Sequence, residues 1–235
     1  LDILIERDDF ISIRNDGAKK AVNEYVGKNY LEYLAWTPDA GFLVDVDEPS
    51  PYFKNRSYIA INVAYDMQDV RFNEIGDKLS YEAFLNTFKD FIDCLLKKYP
   101  ESEIVFIPHI YRDVSFVNDI LEALDDDTRR RKISIAPLLH GSGSYNEVMS
   151  IYAGAKIVLA NRFHSNICSI GLGIPTIGLV NYRQIQELYN EMSSDSYVNI
   201  TEIGFNDKLM QKISNIIEND YNESRILSKD MTNHY

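Results

Sequence analysis

The sequence has few of the residues that mark several common classes of protein. Only two of its 235 residues are cysteine, which argues against a disulfide-stapled secreted domain. Basic residues are scarce, since 24 lysines and arginines stand against 36 aspartates and glutamates, and the formal charge is -12. Such a deficit argues against a nucleic-acid surface and against attraction to anionic lipid. No apolar run is as long as a membrane-spanning helix, so we expect no integral membrane segment.

Motifs for several chemistries are missing as well. No G-x-G-x-x-G follows the first strand of the alternating region, and no G-x-S-x-G occurs anywhere, which argues against a dehydrogenase-type dinucleotide site and a hydrolase nucleophile elbow. No pair of candidate ligands has structural-zinc spacing. We therefore expect neither a metal nor a cofactor.

The two cysteines bear on where the protein works, and the first residue bears on how the chain relates to a longer protein. Cys94 and Cys168 both lie in apolar helical patterns, so we expect two free core residues. Free thiols favour a reducing compartment, and we expect a cytoplasmic protein, with the inner face of the membrane as an alternative place of work. The chain starts at Leu1 rather than at a methionine and soon enters a strand, which is typical of a piece of a longer protein.

Strand and helix patterns alternate from Tyr58 onward, and this alternation sets the fold class. It predicts an α/β fold, with a Rossmann-like, mostly parallel sheet and helices on both faces. We divide the chain into a strand-helix segment at 1–50, a Rossmann-like domain at 51–205, and a C-terminal helix with a polar tail at 206–235. The predicted strands of the sheet are the apolar runs 58–64, 104–108, 132–136, 157–160, 176–180 and 197–200.

Three shorter stretches predict local structure. Ser144 and Glu147 have the spacing of a capping box that opens a helix. The basic run 129–132 follows three aspartates and predicts a solvated turn between a helix and a strand. The polar, proline-bearing stretch 45–55 predicts a linker.

Three of the four histidines come just after predicted strands. They are His109, His140 and His164. Because the carboxyl ends of parallel strands meet at one edge of a sheet, we expect all three at that edge, where open α/β sheets bind ligands. Tyr182 follows the run 176–180 and is expected at the same edge, either lining a ligand site or packing on a helix.

The stretch Arg162-Phe163-His164 lies between a predicted strand and a helix of small and apolar residues. The first turn of a helix offers unpaired N–H groups and the positive end of its dipole, so a guanidinium and an imidazole placed there suit a small anion. Arg14 follows the strand-like 11–13 in the same way, and the two arginines could hold one anion from two sides. The residues alone leave a second interpretation open, in which Arg162 pairs with a carboxylate and His164 caps the turn.

In their order along the chain, these elements resemble the polysaccharide pyruvyl transferase family. The resemblance covers about residues 8–200, and its most specific parts are the R-x-H and P-H-x-x-x-D elements. The matching residues are the strand ending in Arg14, Pro38-Asp39-Ala40-Gly41-Phe42, Pro108-His109 with Asp113, Arg162-Phe163-His164, and Gly173-Ile174-Pro175 with Tyr182.

The resemblance implies one half of a glycosyltransferase-B-like, two-domain architecture. It also implies transfer of a pyruvyl group from phosphoenolpyruvate to a sugar of a cell-surface polysaccharide, forming a pyruvate ketal on a glycan or a lipid-linked sugar. In the family the R-x-H arginine and histidine, here Arg162 and His164, are associated with donor binding and catalysis, and Arg14 matches the arginine after the first strand. Family members carry a substantial N-terminal domain that is largely absent here, so we expect part of the cleft to be missing.

The donor's chemistry leads to the assignment of roles. Protonation of the methylene carbon of phosphoenolpyruvate needs an acid poised near neutral pH, and its carboxylate and phosphate need fixed positive charge. We therefore predict His164 as the catalytic acid. Two other functions stay open, a nucleotide-sugar glycosyltransferase or epimerase of the same architecture and a non-catalytic sugar- or phosphate-binding domain. The predicted substrate-binding residues are Arg162, Arg14, His109, His140 and Tyr182.

Overall fold

The computed structural model describes residues 1–14, 16–64, 66–72 and 78–219. The predicted polar tail therefore lies outside the described residues from position 220 onward. The strands are β1 (Ile11–Arg14), β2 (Leu34–Thr37), β3 (Tyr58–Asn62), β4 (Glu103–Phe106), β5 (Ile133–Ile135), β6 (Ile157–Ala160), β7 (Thr176–Val180) and β8 (Tyr197–Asn199). The α-helices are α1 (Asp2–Glu6), α2 (Ala18–Tyr25), α3 (Gln68–Arg71), α4 (Tyr81–Lys98), α5 (Tyr111–Ala123), α6 (Asp126–Lys132), α7 (Ser144–Ala153), α8 (Phe163–Gly171), α9 (Arg183–Glu191) and α10 (Phe205–Glu218).

The strands form two parallel sheets. β1 and β2 pair with each other, and the other six follow the order β5-β4-β3-β6-β7-β8. Every pairing in the larger sheet is parallel. The strand order reverses between β3 and β6, and such a switch point is where open α/β sheets leave a crevice for ligands. The predicted Rossmann-like fold class is confirmed.

A hydrophobic core lies on each face of the larger sheet, because successive side chains of a strand point to opposite faces. In β3, Ile59 and Ile61 enter one core, while Tyr58 and Ala60 enter the other. The first core is covered by α4, α5 and α10, and the second by α7, α8 and α9. The spacing of the buried α4 residues, which include Phe84, follows the turn of a helix. Full burial of one such phenylalanine contributes about 1.5–3 kcal/mol.

Helix α8 is packed closely against the segment that precedes the sheet. Phe42 is fully buried beneath α8, within the same core as the sheet. A Cβ atom on Gly171 would lie 2.4 Å from the carbonyl oxygen of Phe42, so this approach of two backbones requires glycine. The contact holds the segment around 40–43 and α8 together as one packed unit.

Two glutamates of α9 hold the β1–β2 pair against the larger sheet. Glu191 accepts hydrogen bonds from the Gly17 backbone N–H at 3.0 Å and from Trp36 Nε1 at 3.4 Å. Glu187 accepts one from Lys20 Nζ at 2.8 Å. Burial raises the pKa of Glu191, even though the hydrogen bonds from Trp36 and Gly17 act in the opposite direction. The loop after β1 is thereby fixed beside α9.

Several local predictions were wrong. The basic run 129–132 belongs to α6, whose arginines form exposed i,i+3 and i,i+4 pairs with the aspartates one turn earlier. Helix α7 is capped by Gly143 at φ 90°, and Ser144 is its first residue, with its hydroxyl bonded to the Gly141 carbonyl at 2.7 Å. The spacing of Ser144 and Glu147 is therefore not a capping box.

The predicted linker and one cysteine also differ from expectation. Within 45–55, Ser50 is buried and its backbone N–H bonds the Ser150 carbonyl at 3.0 Å, while Phe53 joins the second core. This stretch is therefore anchored to α7. Cys168 is buried, as expected, but Cys94 is exposed on α4. None of the helices in the described part of the chain combines the length and apolarity that crossing a bilayer requires.

Candidate active site

The carboxyl end of β6 and the start of α8 are fixed by one buried asparagine. Asn62, the last residue of β3, has its side-chain oxygen within 2.9 Å of both the Arg162 backbone N–H and the Ser165 hydroxyl, which donate to it. Its Nδ2 donates to the Ile107 carbonyl at 2.9 Å. Asn62 thus ties the end of β4 to the start of α8, and it positions the first turn that carries Phe163 and His164.

Arg162 binds two carboxylates at this edge. Its Nε and Nη2 donate to the two oxygens of Asp113 at 2.8 and 2.6 Å, in the parallel two-pronged arrangement that suits a guanidinium. Nη2 also donates to Asp66 Oδ1 at 2.8 Å. Within the described residues Nη1 has no hydrogen-bond partner. Of the two interpretations of the sequence, the structure therefore shows the one in which Arg162 pairs with carboxylates.

Asp113 joins the arginine to the histidine that follows β4. It accepts hydrogen bonds from the backbone N–H groups of His109 at 3.0 Å and Ile110 at 3.2 Å, in addition to those from Arg162. The residue is fully buried. The first N–H groups of a helix have no carbonyl acceptor within the helix, and the Asp113 carboxylate accepts from two backbone N–H groups at the start of α5. The same carboxylate balances the charge of Arg162. This explains why the chain has an aspartate four residues after His109.

Arg14 reaches the same turn of α8 from the β1–β2 pair. Its guanidinium carbon lies 4.8 Å from the centroid of the Phe163 ring, the residue between Arg162 and His164. Asp16 and Asp39 hold it at 2.6 and 2.8 Å. Burial opposes its charge, but these two carboxylates outweigh that effect and raise the pKa of Arg14. Arg14 therefore stacks on the residue that follows Arg162 in the chain.

The two histidines nearest this turn differ in environment. His164 is exposed in the first turn of α8, with its ring 5.7 Å from that of Phe163. His109 is largely buried, and its Nε2 lies 2.7 Å from the Tyr152 hydroxyl. Burial lowers the pKa of His109 to about 4, and the positive charges of Arg162 and His164 act in the same direction. His109 is therefore neutral near neutral pH, and His164 is the histidine open to a substrate.

His140 is placed apart from the others. It is exposed in the loop after β5, the outermost strand on its side of the sheet. β5 lies three strand positions from β6, which corresponds to about 14 Å at the usual strand spacing. The structure brings together Arg14, Arg162, His109 and His164, whereas His140 follows the strand that is farthest from β6 on this side of the sheet.

Tyr182 lies on the other side of Arg162, after β7. The guanidinium carbon of Arg71 stands 4.5 Å from the centroid of the Tyr182 ring, and burial raises the pKa of this tyrosine. Arg71 Nη2 donates to Asp66 Oδ2 at 3.2 Å, so a single carboxylate connects Arg71 to Arg162. Tyr182 is therefore at the predicted edge and packs on an arginine.

Sequence reasoning missed several of these residues. Asp66, Arg71 and Asn62 were not singled out, although all three hold the cluster together. Asn62 ends one apolar run, and Asn161 directly follows another. A polar residue at the end of a predicted strand was the signal that could have identified them. No group of three His, Cys, Asp or Glu side chains in the described ranges is placed to hold a metal ion.

Comparison with solved structures supports the fold. The chain is similar to S. aureus MnaA, solved with UDP, with a TM-score of 0.59 and 13% identity over 94% of this chain and 57% of that one. It is also similar to trehalose-6-phosphate synthase OtsA, with a TM-score of 0.54 and 12% identity over 86% of this chain and 47% of that one. These similarities show that the fold is that of glycosyltransferase-B-like enzymes.

The chain spans 57% of MnaA, 47% of OtsA and 41% of the UDP-GlcNAc 2-epimerase from Methanocaldococcus jannaschii, which is about half the length of these solved proteins. A search of curated protein sequences finds no match.

A family assignment comes from the sequence itself. The sequence model of the family described as polysaccharide pyruvyl transferase matches residues 1–183, which is 183 of the 235 residues. The matched range contains Arg14, His109, Asp113, Arg162 and His164. The chain therefore belongs to the polysaccharide pyruvyl transferase family.

Proposed function

We propose that the chain transfers a pyruvyl group from phosphoenolpyruvate to two hydroxyls of a sugar in a polysaccharide or in its precursor. Family and fold are those of enzymes that modify sugars. We place the activity in the cytoplasm, and the two free cysteines are consistent with a reducing compartment. The donor and the compartment are the parts of this proposal that need experiments.

One observation supports the donor assignment most directly. Arg14 and Arg162 come from different sheets, yet both lie at the start of α8: Arg14 stacks on the Phe163 ring, and Arg162 is the residue that precedes Phe163. That turn adds the positive end of the α8 dipole. The guanidinium N–H groups suit the oxygens of a small polyanion, and the aspartates that contact both arginines balance their charge and orient these donors. Phosphoenolpyruvate, with a carboxylate and a phosphate, is such an anion.

The chemistry assigns His164 to proton transfer. In its protonated form His164 gives a proton to the methylene carbon of the donor, and the neighbouring carbon becomes an oxocarbenium-like electrophile. One sugar hydroxyl adds to this carbon and loses its proton. The carbon–oxygen bond to phosphate then breaks, and the second hydroxyl adds, loses its proton and closes the ketal. His109 is neutral, and it cannot act as the acid near neutral pH.

Arg162 and Arg14 would bind the donor differently from arginines whose guanidinium groups have no other partner and can donate two parallel hydrogen bonds. Asp113 occupies the two-pronged side of Arg162, so this arginine offers Nη1 and its positive charge. Asp16 and Asp39 engage Arg14, which is nevertheless almost half exposed. The carboxylates orient both guanidinium groups before the donor arrives, and such preorganisation lowers the cost of binding.

Ligand-induced thermal stabilisation tests the donor assignment. At 100 times its Kd a ligand stabilises the folded state by about 2.7 kcal/mol, so phosphoenolpyruvate should raise the Tm clearly. Arg14→Gln should abolish most of that rise, while Arg7→Gln, which removes an arginine that is 67% exposed and pairs with Asp9, should preserve it. Stabilisation by uridine diphosphate but not by phosphoenolpyruvate would instead support the nucleotide-sugar alternative. Stabilisation by a glycan alone would support a binding domain.

A further inference from the structure

A cavity lined in part by Arg71 and Tyr182 lies outside the carboxyl ends of β7 and β8. Its volume is about 510 Å³, within the range of small-molecule sites. Three basic side chains, those of Arg71, Lys78 and Arg183, contribute to its lining. Among the described residues, the lining contains no aspartate or glutamate. Arg71 also pairs with Asp66, and Arg183 pairs with Glu187 and Glu24. The described lining therefore offers N–H donors from three basic side chains, two of which have their charge balanced by carboxylates.

Two buried donors in this lining have no partner. Asn181 is 8% exposed, and its Nδ2 makes no hydrogen bond within the described part of the chain. Arg71, whose side chain is 12% exposed, likewise has an unpaired and buried Nη1. Buried N–H groups are normally satisfied, because a donor left unpaired away from water is unfavourable. Both groups are shielded from solvent, so a small side-chain movement would bring them to the acceptor oxygens of a ligand in the cavity.

The orientation of the Asn181 amide follows from its neighbours. The Ala64 backbone N–H donates to Asn161 Oδ1 at 2.8 Å, which fixes the amide of Asn161. Asn161 Nδ2 therefore donates to the Leu179 carbonyl and, at 2.9 Å, to Asn181 Oδ1. With its oxygen engaged, Asn181 presents its NH₂ group as the free end. The unpaired group is thus a donor.

We infer that this cavity binds the phosphate or diphosphate group carried by the sugar acceptor. The inference rests on the proposed function, in which the donor occupies the turn that carries Arg14, Arg162 and His164. Positive charge and N–H donors suit phosphate oxygens, and the amide and hydroxyl of Asn199 and Thr201 in the same lining suit a sugar. Since Asp66 contacts both Arg162 and Arg71, the two sites are neighbours. An acceptor held here by its phosphate could extend its hydroxyls toward the donor.

Calorimetric titration of inorganic pyrophosphate into the protein saturated with phosphoenolpyruvate tests this inference. We expect binding, and Asn181→Asp should weaken it at least about tenfold, since this change keeps the oxygen that Asn161 needs but replaces the free donor with a negative acceptor. Lys78→Gln, at an exposed residue, should weaken it about two- to fivefold without a risk to folding. Lys97→Gln is the matched control, because it removes the same charge from an exposed residue at the other end of α4 and should change nothing.

Three results would overturn the inference. In the first, pyrophosphate does not bind. In the second, the Asn181→Asp and Lys97→Gln variants bind pyrophosphate equally well. In the third, phosphoenolpyruvate displaces pyrophosphate competitively, which would make the cavity part of the donor site. Binding of pyrophosphate without binding of phosphoenolpyruvate would refute the donor assignment but leave the cavity as an anion site.

Titration of two diphosphate esters identifies the source of the group. Tighter binding of farnesyl diphosphate than of uridine diphosphate would indicate a lipid-linked acceptor, and the reverse order would indicate a nucleotide-linked one. If neither ester binds, the cavity holds only free phosphate or pyrophosphate. That result would overturn the assignment of the cavity to the acceptor.

Discussion

Replacement of Asp113 by asparagine removes the negative charge on which the site is built. The Asp113 carboxylate is fully buried and accepts from Arg162 Nε and Nη2 at 2.8 and 2.6 Å, as well as from two backbone N–H groups at the start of α5. Removing one partner of a buried ion pair costs about 3–5 kcal/mol. Because Asp66 remains on Arg162 and asparagine keeps one acceptor oxygen, we expect the lower end, about 3 kcal/mol.

This loss should be visible in both thermal and urea unfolding. For a protein of this length it corresponds to a decrease in Tm of roughly 6–12 °C. Asp126→Asn is the matched control, since this carboxylate is 58% exposed and pairs with arginines on the surface of α6, and its loss should not change the Tm measurably. If Asp113→Asn unfolds at the same urea concentration as the parent, the buried ion pair does not stabilise the fold, and the reasoning about Arg162 is wrong.

Four further predictions concern single residues. His164→Gln should slow pyruvyl transfer by at least about 100-fold with little change in donor affinity, followed as solvent deuterium entering the transferred methyl group, and a rate within about tenfold of the parent would reassign the acid. Arg162→Lys should weaken phosphoenolpyruvate binding by about 1.5–3 kcal/mol in calorimetry, and unchanged binding would remove Arg162 from the donor site. The pKa of His109 is lowered to about 4 in the folded protein, so the unfolded chain takes up the proton first. The free energy of unfolding should therefore fall by about 2 kcal/mol more between about pH 7 and pH 5 in the parent than in His109→Asn, and equal slopes in urea titrations would contradict the lowered pKa. Gly171→Ala would place a Cβ 2.4 Å from the Phe42 carbonyl oxygen and should cost about 1–3 kcal/mol, so a Tm equal to that of the parent would contradict this close packing.

The sequence was sufficient for the fold class and for much of the element order. Helix α4 and strand β7 begin and end at the residues that their patterns indicated, Tyr81–Lys98 and Thr176–Val180. These patterns are strong because each element buries a full face, and burial dictates apolar residues at a fixed period. The placement of His109 and His164 at one edge followed from strand direction alone and is confirmed.

Pairing within the site could not be predicted in the same way. Asp66 lies in a stretch without periodicity, and its contact with Arg162 depends on β3 and β6 being neighbours, which is a property of strand order. Strand order requires knowledge of long-range pairing that local patterns do not contain. For the same reason the sequence left open whether Arg162 binds an anion or pairs with a carboxylate, and it did not identify Asp113 as the partner.

Some predictions stay predictions. Kinetic tests are needed for the roles of five residues, which are His164, Arg14, His109, His140 and Tyr182. The division of the chain at residues 50 and 205 also stays a prediction. The helix that follows the second boundary, α10, shares the first core with α4, and Phe205 is fully buried there. Local patterns identified this helix correctly but gave no information about the core that it joins.

The reversal of strand order between β3 and β6 has a consequence for folding kinetics. Pairing within each half joins residues that are closer in sequence, such as Tyr58 with Glu103 and Val158 with Thr176. The β3–β6 pairing joins Ile59 to Ile157. Closing so long a loop is slow, because its entropy is lost before the contacts form. Asp66 and Asp113 belong to the first half and Arg162 to the second. We therefore expect the ion-pair cluster to assemble only when the two halves dock, so the site would be among the last parts of the molecule to acquire its native arrangement.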